Sequence, residues 1–164
     1  CKSSEESKFR QIMANTIITI EIAELIHSAI KAVVPSGTSV YARGVKTDIE
    51  GTVDDAVNKL DRKCPMVDII PTERHPQQHD SALRAYPVIV RAITHGPDDP
   101  FQVDLYTVAH SVGEWLCTSP DIPLTLAHFD ALYIDGPPDP GNAGDNDNLQ
   151  YMEWNLIIYT RKVA

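Results

Sequence analysis

The sequence predicts an α+β fold: a mixed, mainly antiparallel sheet flanked by two principal helices, with a projecting C-terminal hairpin. Three stretches carry that expectation. RAYPVIVRAITHG, residues 84–96, is a β-rich run that stops at Gly96-Pro97. FQVDLYTVAHSVGEWLC, residues 101–117, places Phe101, Leu105, Val108, Ala109, Val112, Trp115 and Leu116 at helical spacing, which makes one broad apolar stripe. LQYMEWNLIIYTR, residues 149–161, alternates at period two. Met152, Trp154, Leu156, Ile158 and Thr160 form the expected inner face, and Tyr151, Glu153, Asn155, Ile157 and Tyr159 the other. A striped helix needs an apolar sheet to cover it, so the core is one helix lying on a sheet built from these strands.

The remaining elements follow in chain order. Thr16 to Val34 reads as a helix, with Ile18, Ile22, Leu25, Ile26, Ala29, Ile30 and Val33 on one face and Pro35-Ser36-Gly37 as its stop. The β-branched run 17–20 would equally suit an extended lead-in. Thr38 to Gly44 is a short strand. Lys46 to Lys63 is an excursion with a short helical pattern at Val53, Ala56, Val57 and Leu60, and Asp54 and Asp55 suit its N-terminus. Cys64 to Pro71 is a strand bounded by prolines, which suggests ends at or near a sheet edge. The loop TERHPQQHDSAL follows. For the helix after residue 96, Asp99 is the expected cap, Pro100 the first helical residue and Gln102 the partner in a capping-box-like pattern. Phe129 to Asp135 is a strand, and GPPDPGNAGDNDN is a turn-rich hairpin loop.

At 164 residues the chain is long enough for one domain with a real core. Residues 1–15 read as a flexible N-terminal tail and 16–164 as the domain. A lipid-carrying Cys1 on a Ser/Glu-rich tether is the competing reading of the tail. The net charge of −9 argues against a broad duplex-binding surface, though not against a wall that DNA passes. Three cysteines make no disulfide framework. No apolar run reaches membrane-spanning length.

Chemistry-bearing residues are sparse in pattern. His75 and His79 are four apart, but Pro76 lies between them and the glutamate of a metalloprotease motif is missing. Cys64 has no identifiable base. His110 and Glu114 are placed to pair across one helical turn. His27 reads as a boundary residue, and His95 sits at a strand exit. Asp145-Asn146-Asp147 matches only a fragment of a calcium loop. Gly113 lowers helix propensity and gives a neighbour room to approach. No phosphate loop, dinucleotide fingerprint or nucleophile elbow is present in the sequence. The expectation is therefore no enzyme, no metal and no cofactor.

The order of elements, with the patterns AELIHSAIKAVV, CPMVDIIP, YPVIVRAI and EWNLIIY, resembles the tail terminator proteins of long-tailed bacteriophages, over about residues 16–163. The Lys46–Lys63 excursion and the Asp-rich loop match no family motif. The resemblance implies a virion protein that assembles in the host cytoplasm as a hexameric ring. It would cap the tail tube protein, end tail polymerisation and present a joining surface to the head-tail connector in the neck. DNA would pass through it without specific binding, and no membrane would be involved. Candidate subunit or lumen contacts are Asp54, Asp55, Arg74, Asp139, Asp145 and Asp147. The alternatives are another neck, head-completion or surface-binding module and, further off, a small enzyme of unrecognised type. If the Asp-rich loop lines the lumen, an acidic wall keeps DNA from sticking. Asp145→Lys with Asp147→Lys is then expected to slow genome delivery, measured as infectivity; unchanged infectivity contradicts that placement.

Overall fold

A computed structural model of the chain describes residues 2–42, 64–71, 77–78, 83–143 and 149–161. Its elements are α1 (Lys2–Val33), β1 (Ser39–Ala42), β2 (Met66–Pro71), β3 (Gln77–Gln78), β4 (Leu83–His95), α2 (Val103–Cys117), β5 (His128–Ile134), β6 (Asp139–Ala143) and β7 (Leu149–Arg161). The main path across the sheet is β1-β2-β4-β7-β5, with β3 paired to β4 and β6 paired to β7. Among the described strands, only β1 and β2 run parallel; every other pairing is antiparallel. The fold is α+β, as the sequence patterns require.

The central feature is the β4–β7 ladder, in register from Leu83↔Arg161 to His95↔Leu149. On its core side Tyr86, Val88, Val90 and Ala92 face across to Ile158, Leu156, Trp154 and Met152, and all eight are buried. The expected inner face of β7 is the observed one. Pro87 has no N–H to give to a ladder. It sits just beyond the end of β2, which stops at Pro71↔Val88, and short of β3, which pairs at Ala85 and Arg84. The prolines of β2 mark strand ends, and β2 itself lies one strand inside the sheet, between β1 and β4.

Both helices cover the same sheet face. Ile22, Ala23, Ile26 and Ile30 of α1 and Leu105, Val108, Val112 and Leu116 of α2 join one cluster with the core side of the strands. The helical backbone of α1 begins well ahead of Thr16, because no Pro or Gly interrupts residues 2–33. Tertiary packing of Ile18 and Ile22 overrides the β-branched propensity of residues 17–20. The helix stops before Pro35, and Gly37 takes the positive φ of 90° that the following turn requires. His27 Nε2 lies 2.9 Å from the Val40 carbonyl, and Lys31 donates to the Thr38 carbonyl at 3.2 Å, so α1 is tied to β1. Glu21 accepts from the backbone and hydroxyl of Thr125, which holds the segment after α2 against α1. The opposite sheet face carries a smaller cluster of Met66, Ile93 and Leu149.

The start of α2 departs from the expected geometry. Pro100 and Phe101 lie in a turn, Gln102 adopts a left-handed φ of 59°, and the helix begins at Val103. Phe101 therefore leaves the apolar stripe and is 86% exposed. Asp99 still caps the helix from outside. Its Oδ1 accepts from the Asp104 N–H at 3.1 Å and its Oδ2 from the Leu105 N–H at 3.0 Å. Buried Gln150 on β7 donates to the Asp99 carbonyl at 2.8 Å and to Thr94 Oγ1 at 2.9 Å, and accepts from Gln102 at 3.3 Å. This node fixes the helix start on the end of the β4–β7 ladder.

Burial pushes the Asp99 carboxyl up, but hydrogen bonds from the Asp104, Leu105 and Val103 backbones and from Thr94 outweigh it and hold the group below its ordinary value. A carboxyl whose folded pKa is lowered stabilises the fold above its unfolded value. That contribution is lost as pH falls through the folded value. Stability is thus expected to drop below about pH 4, with a shallower acid slope in Asp99→Asn. At neutral pH Asp99→Ala should cost on the order of 1–2 kcal/mol, from the lost cap, because Gln150 keeps the backbone carbonyl of residue 99 and Thr94 Oγ1 as acceptors. Urea unfolding across pH checks both; an acid slope that Asp99→Asn leaves intact would contradict the assignment.

Candidate assembly surface

The sheet is wider than its two helices. The helix α1 packs on β1 and β2, and α2 lies over β4 and β7. Beyond α2, toward β5 and β6, the core side of the sheet is left open among the described residues. An open groove of about 850 Å³ lies there. Tyr106, His110, Gly113 and Cys117 of α2 form one wall, at the three- and four-residue spacing of a single helix side. Ile134 and Pro138 stand opposite. Met152 and Trp154 of β7 make the floor. A smaller hollow of about 280 Å³ lies at the Gln102 end and shares Tyr106 and Met152 with the groove.

The surroundings are apolar and exposed. Phe101, Val103 and Tyr106 at the start of α2 are 86%, 62% and 56% exposed. Tyr133 on β5 also faces outward, on the other side of the sheet from Ile134. Isolated exposed apolar residues are ordinary, whereas a contiguous exposed apolar patch is a candidate contact surface. Gly113 sits in the wall with nothing within 4 Å of where a Cβ would be. The room for a neighbour read from the sequence at Gly113 is there.

The segment between β5 and β7 contains β6, which was not expected. β7 therefore pairs with β5 along its C-terminal half and with β6 along its N-terminal half. Gly141 faces Tyr151 across that pairing, and a Cβ there would lie 2.5 Å from the tyrosine ring. Tyr151 in turn stacks against the Arg91 guanidinium, 5.1 Å from the ring centre, and Arg91 is ion-paired to Glu153 at 2.5 Å. β5 is an edge strand, irregular between Phe129 and Ala131, where Asp130 accepts from Arg161 at 2.8 Å. Such an irregularity blunts strand-to-strand association along that edge.

Of the residues singled out by sequence, Asp139 is described. It lies on β6 opposite Glu153 and is exposed. Asp54, Asp55, Arg74, Asp145 and Asp147 lie outside the described residues, as do His75 and His79 and the helical pattern at 53–60. The other chemistry-bearing groups are dispersed. His110 pairs with Glu114 at 3.0 Å on the groove rim, and His95 with Asp98 at 2.9 Å beyond the end of β4. Cys64 packs against the smaller cluster on the opposite sheet face. Among the described residues there is no group of three or more His, Cys, Asp or Glu that could hold a metal ion, and no helix is long and apolar enough to cross a membrane. The groove residues Tyr106, Cys117, Ile134 and Trp154 were not singled out by sequence reasoning as site candidates; of the groove lining, His110, Gly113 and Glu114 were noted.

Neither protein-family models nor curated proteins give a match to this chain. The surface has to be interpreted from its own geometry. Gly141→Ala is expected to push the far end of the Tyr151 ring aside and disturb its stacking on Arg91, at a cost on the order of 1 kcal/mol. Thermal unfolding and tyrosine fluorescence would register it; an unchanged melting temperature would mean that the Gly141–Tyr151 contact is not needed.

Proposed function

We propose that this chain is a structural protein of a long-tailed bacteriophage, of the tail terminator type. Its copies form a ring that caps the tail tube, ends tail polymerisation and offers the joining surface for the head-tail connector. The observation that carries this reading is the open apolar groove beside α2, with exposed Tyr106 in its wall and Phe101 and Val103 exposed at the start of the same helix. A sheet left short of helical cover, with exposed apolar side chains at the margin, suits contacts between proteins better than reaction on a small molecule. The resemblance in element order supplies the biological setting, and closed rings repeat one heterologous contact around an axis. The net charge of −9 suits a component that DNA traverses without being held.

The role makes a direct experimental demand. Purified protein added to polymerising tail tube protein should stop tube growth and appear as a ring at one end of each tube in negative-stain images. Phe101→Asp with Tyr106→Asp should weaken that capping about tenfold or more while leaving the circular dichroism spectrum unchanged. Tubes that grow to the same length with and without the protein would contradict the assignment.

A further inference from the structure

Charge is divided unevenly along this chain, and the groove lies wholly on one side of the division. Residues 92–160 hold eleven Asp and Glu and no Lys or Arg; all 14 Lys and Arg lie outside them, with the other twelve Asp and Glu. That stretch therefore carries −11 and the rest of the chain +2. It supplies α2, β5, β6 and all of β7 but its last residue. Every residue that lines the groove belongs to it. Glu114 stands in the wall, and the lining residues Ile134 and Pro138 are each followed by an exposed aspartate, Asp135 and Asp139. The surface between is apolar, with Met152 and Trp154 at its floor.

We propose that the groove receives an amphipathic helix from a different protein, with an apolar stripe about three turns long and Lys or Arg along its borders. Three observations select this occupant. The first is shape. The wall from Tyr106 to Cys117 advances about 17 Å along α2, which three turns of a helix laid beside it would match. Gly113, with nothing within 4 Å of its Cβ position, lets the two backbones come close. The second is charge: a stretch without cations attracts a basic partner and disfavours an acidic one. The third is the state of this chain's own cations. Lys31 donates to the Thr38 carbonyl and Arg84 to the Leu83 carbonyl, Arg91 pairs with Glu153, and Arg161 pairs with Asp130. The cations whose side chains are described are engaged within their own fold, so a second copy is a poor source of the basic borders.

This inference rests on the reading of the groove as an assembly surface and adds the chemistry of what sits there. The two can fail separately. A protein that binds such a helix and does not cap tubes loses the proposed function and keeps this site. A capping protein whose groove takes no basic helix does the reverse.

The test uses the full chain and three fluorescein-labelled peptides of about five helical turns. The first has a Leu stripe at helical spacing with Lys elsewhere. The second keeps the Leu stripe and carries Glu in place of Lys. The third keeps Lys and carries Gln in place of Leu. By fluorescence anisotropy the Leu/Lys peptide should bind at least tenfold more tightly than either of the others. Gly113→Trp, which fills the groove, and Glu114→Lys, which reverses the charge in its wall, should each weaken that binding at least fivefold. Circular dichroism melts check that both fold, and Glu114→Lys, at a side chain 70% exposed, keeps the test available should Gly113→Trp not fold. No binding of the Leu/Lys peptide overturns the proposal. Equal binding of the Leu/Glu or Gln/Lys peptide does so too, as does unchanged binding to the folded variants. Wild-type multimers that Gly113→Trp disperses, read by light scattering, would put a second copy in the groove and overturn it as well.

Discussion

The structure depends on the antiparallel ladder between β4 and β7. It runs the full length of both strands and supplies the largest continuous piece of the core floor. Because strand side chains alternate, fixing one pair in that ladder fixes which residues meet the helices. Tyr86, Val88, Val90 and Ala92 can face α1 and α2 only if Ile158, Leu156, Trp154 and Met152 do so as well. A slip of β7 by one residue would put Glu153 and Asn155 into the helix layer and leave Arg91 without its partner on the other face, and an unpaired buried charge is costly. The Arg91–Glu153 pair on the opposite face is thus a second register marker.

Asp99, Gln150 and Thr94 transmit that register to the helix layer. Gln150 belongs to β7, Thr94 to β4, and Asp99 caps α2, so one buried hydrogen-bonded node sets where the helix starts on the sheet. The left-handed Gln102 and the exposed Phe101 follow from it. The chain must turn sharply after Asp99 for the carboxylate to meet the N–H groups of Asp104 and Leu105. The same placement aligns α2 over β4 and β7 and leaves the β5–β6 side uncovered, which is how a core constraint produces the groove.

Much of this was legible in the residues. The alternation of β7 gave its inner face residue by residue, and the α2 stripe gave Leu105, Val108, Ala109, Val112 and Leu116. Asp99 was legible as a cap, but Phe101 was assigned to the stripe because spacing alone does not reveal a turn at Gln102. β6 was not legible. Asp139-Pro140-Gly141-Asn142-Ala143 has almost no β-propensity, and its strand character comes from pairing with β7 and from Tyr151 lying over Gly141. The groove was not legible either, since it is a gap between elements and no local pattern encodes a gap. Of the acidic candidates, Asp139 belongs to the sheet beside the groove, and the rest fall outside the described residues.

The proposed function makes this chain a ring subunit and requires that the sheet face left open beside α2 be covered by another chain. The most direct measurement of that claim is native mass spectrometry of the wild-type protein. The account predicts one dominant closed species at a fixed multiple of the chain mass, about six, growing at the expense of the monomer as concentration rises. A spectrum holding only monomer at every concentration, or an open-ended ladder with no preferred multiple, would contradict it.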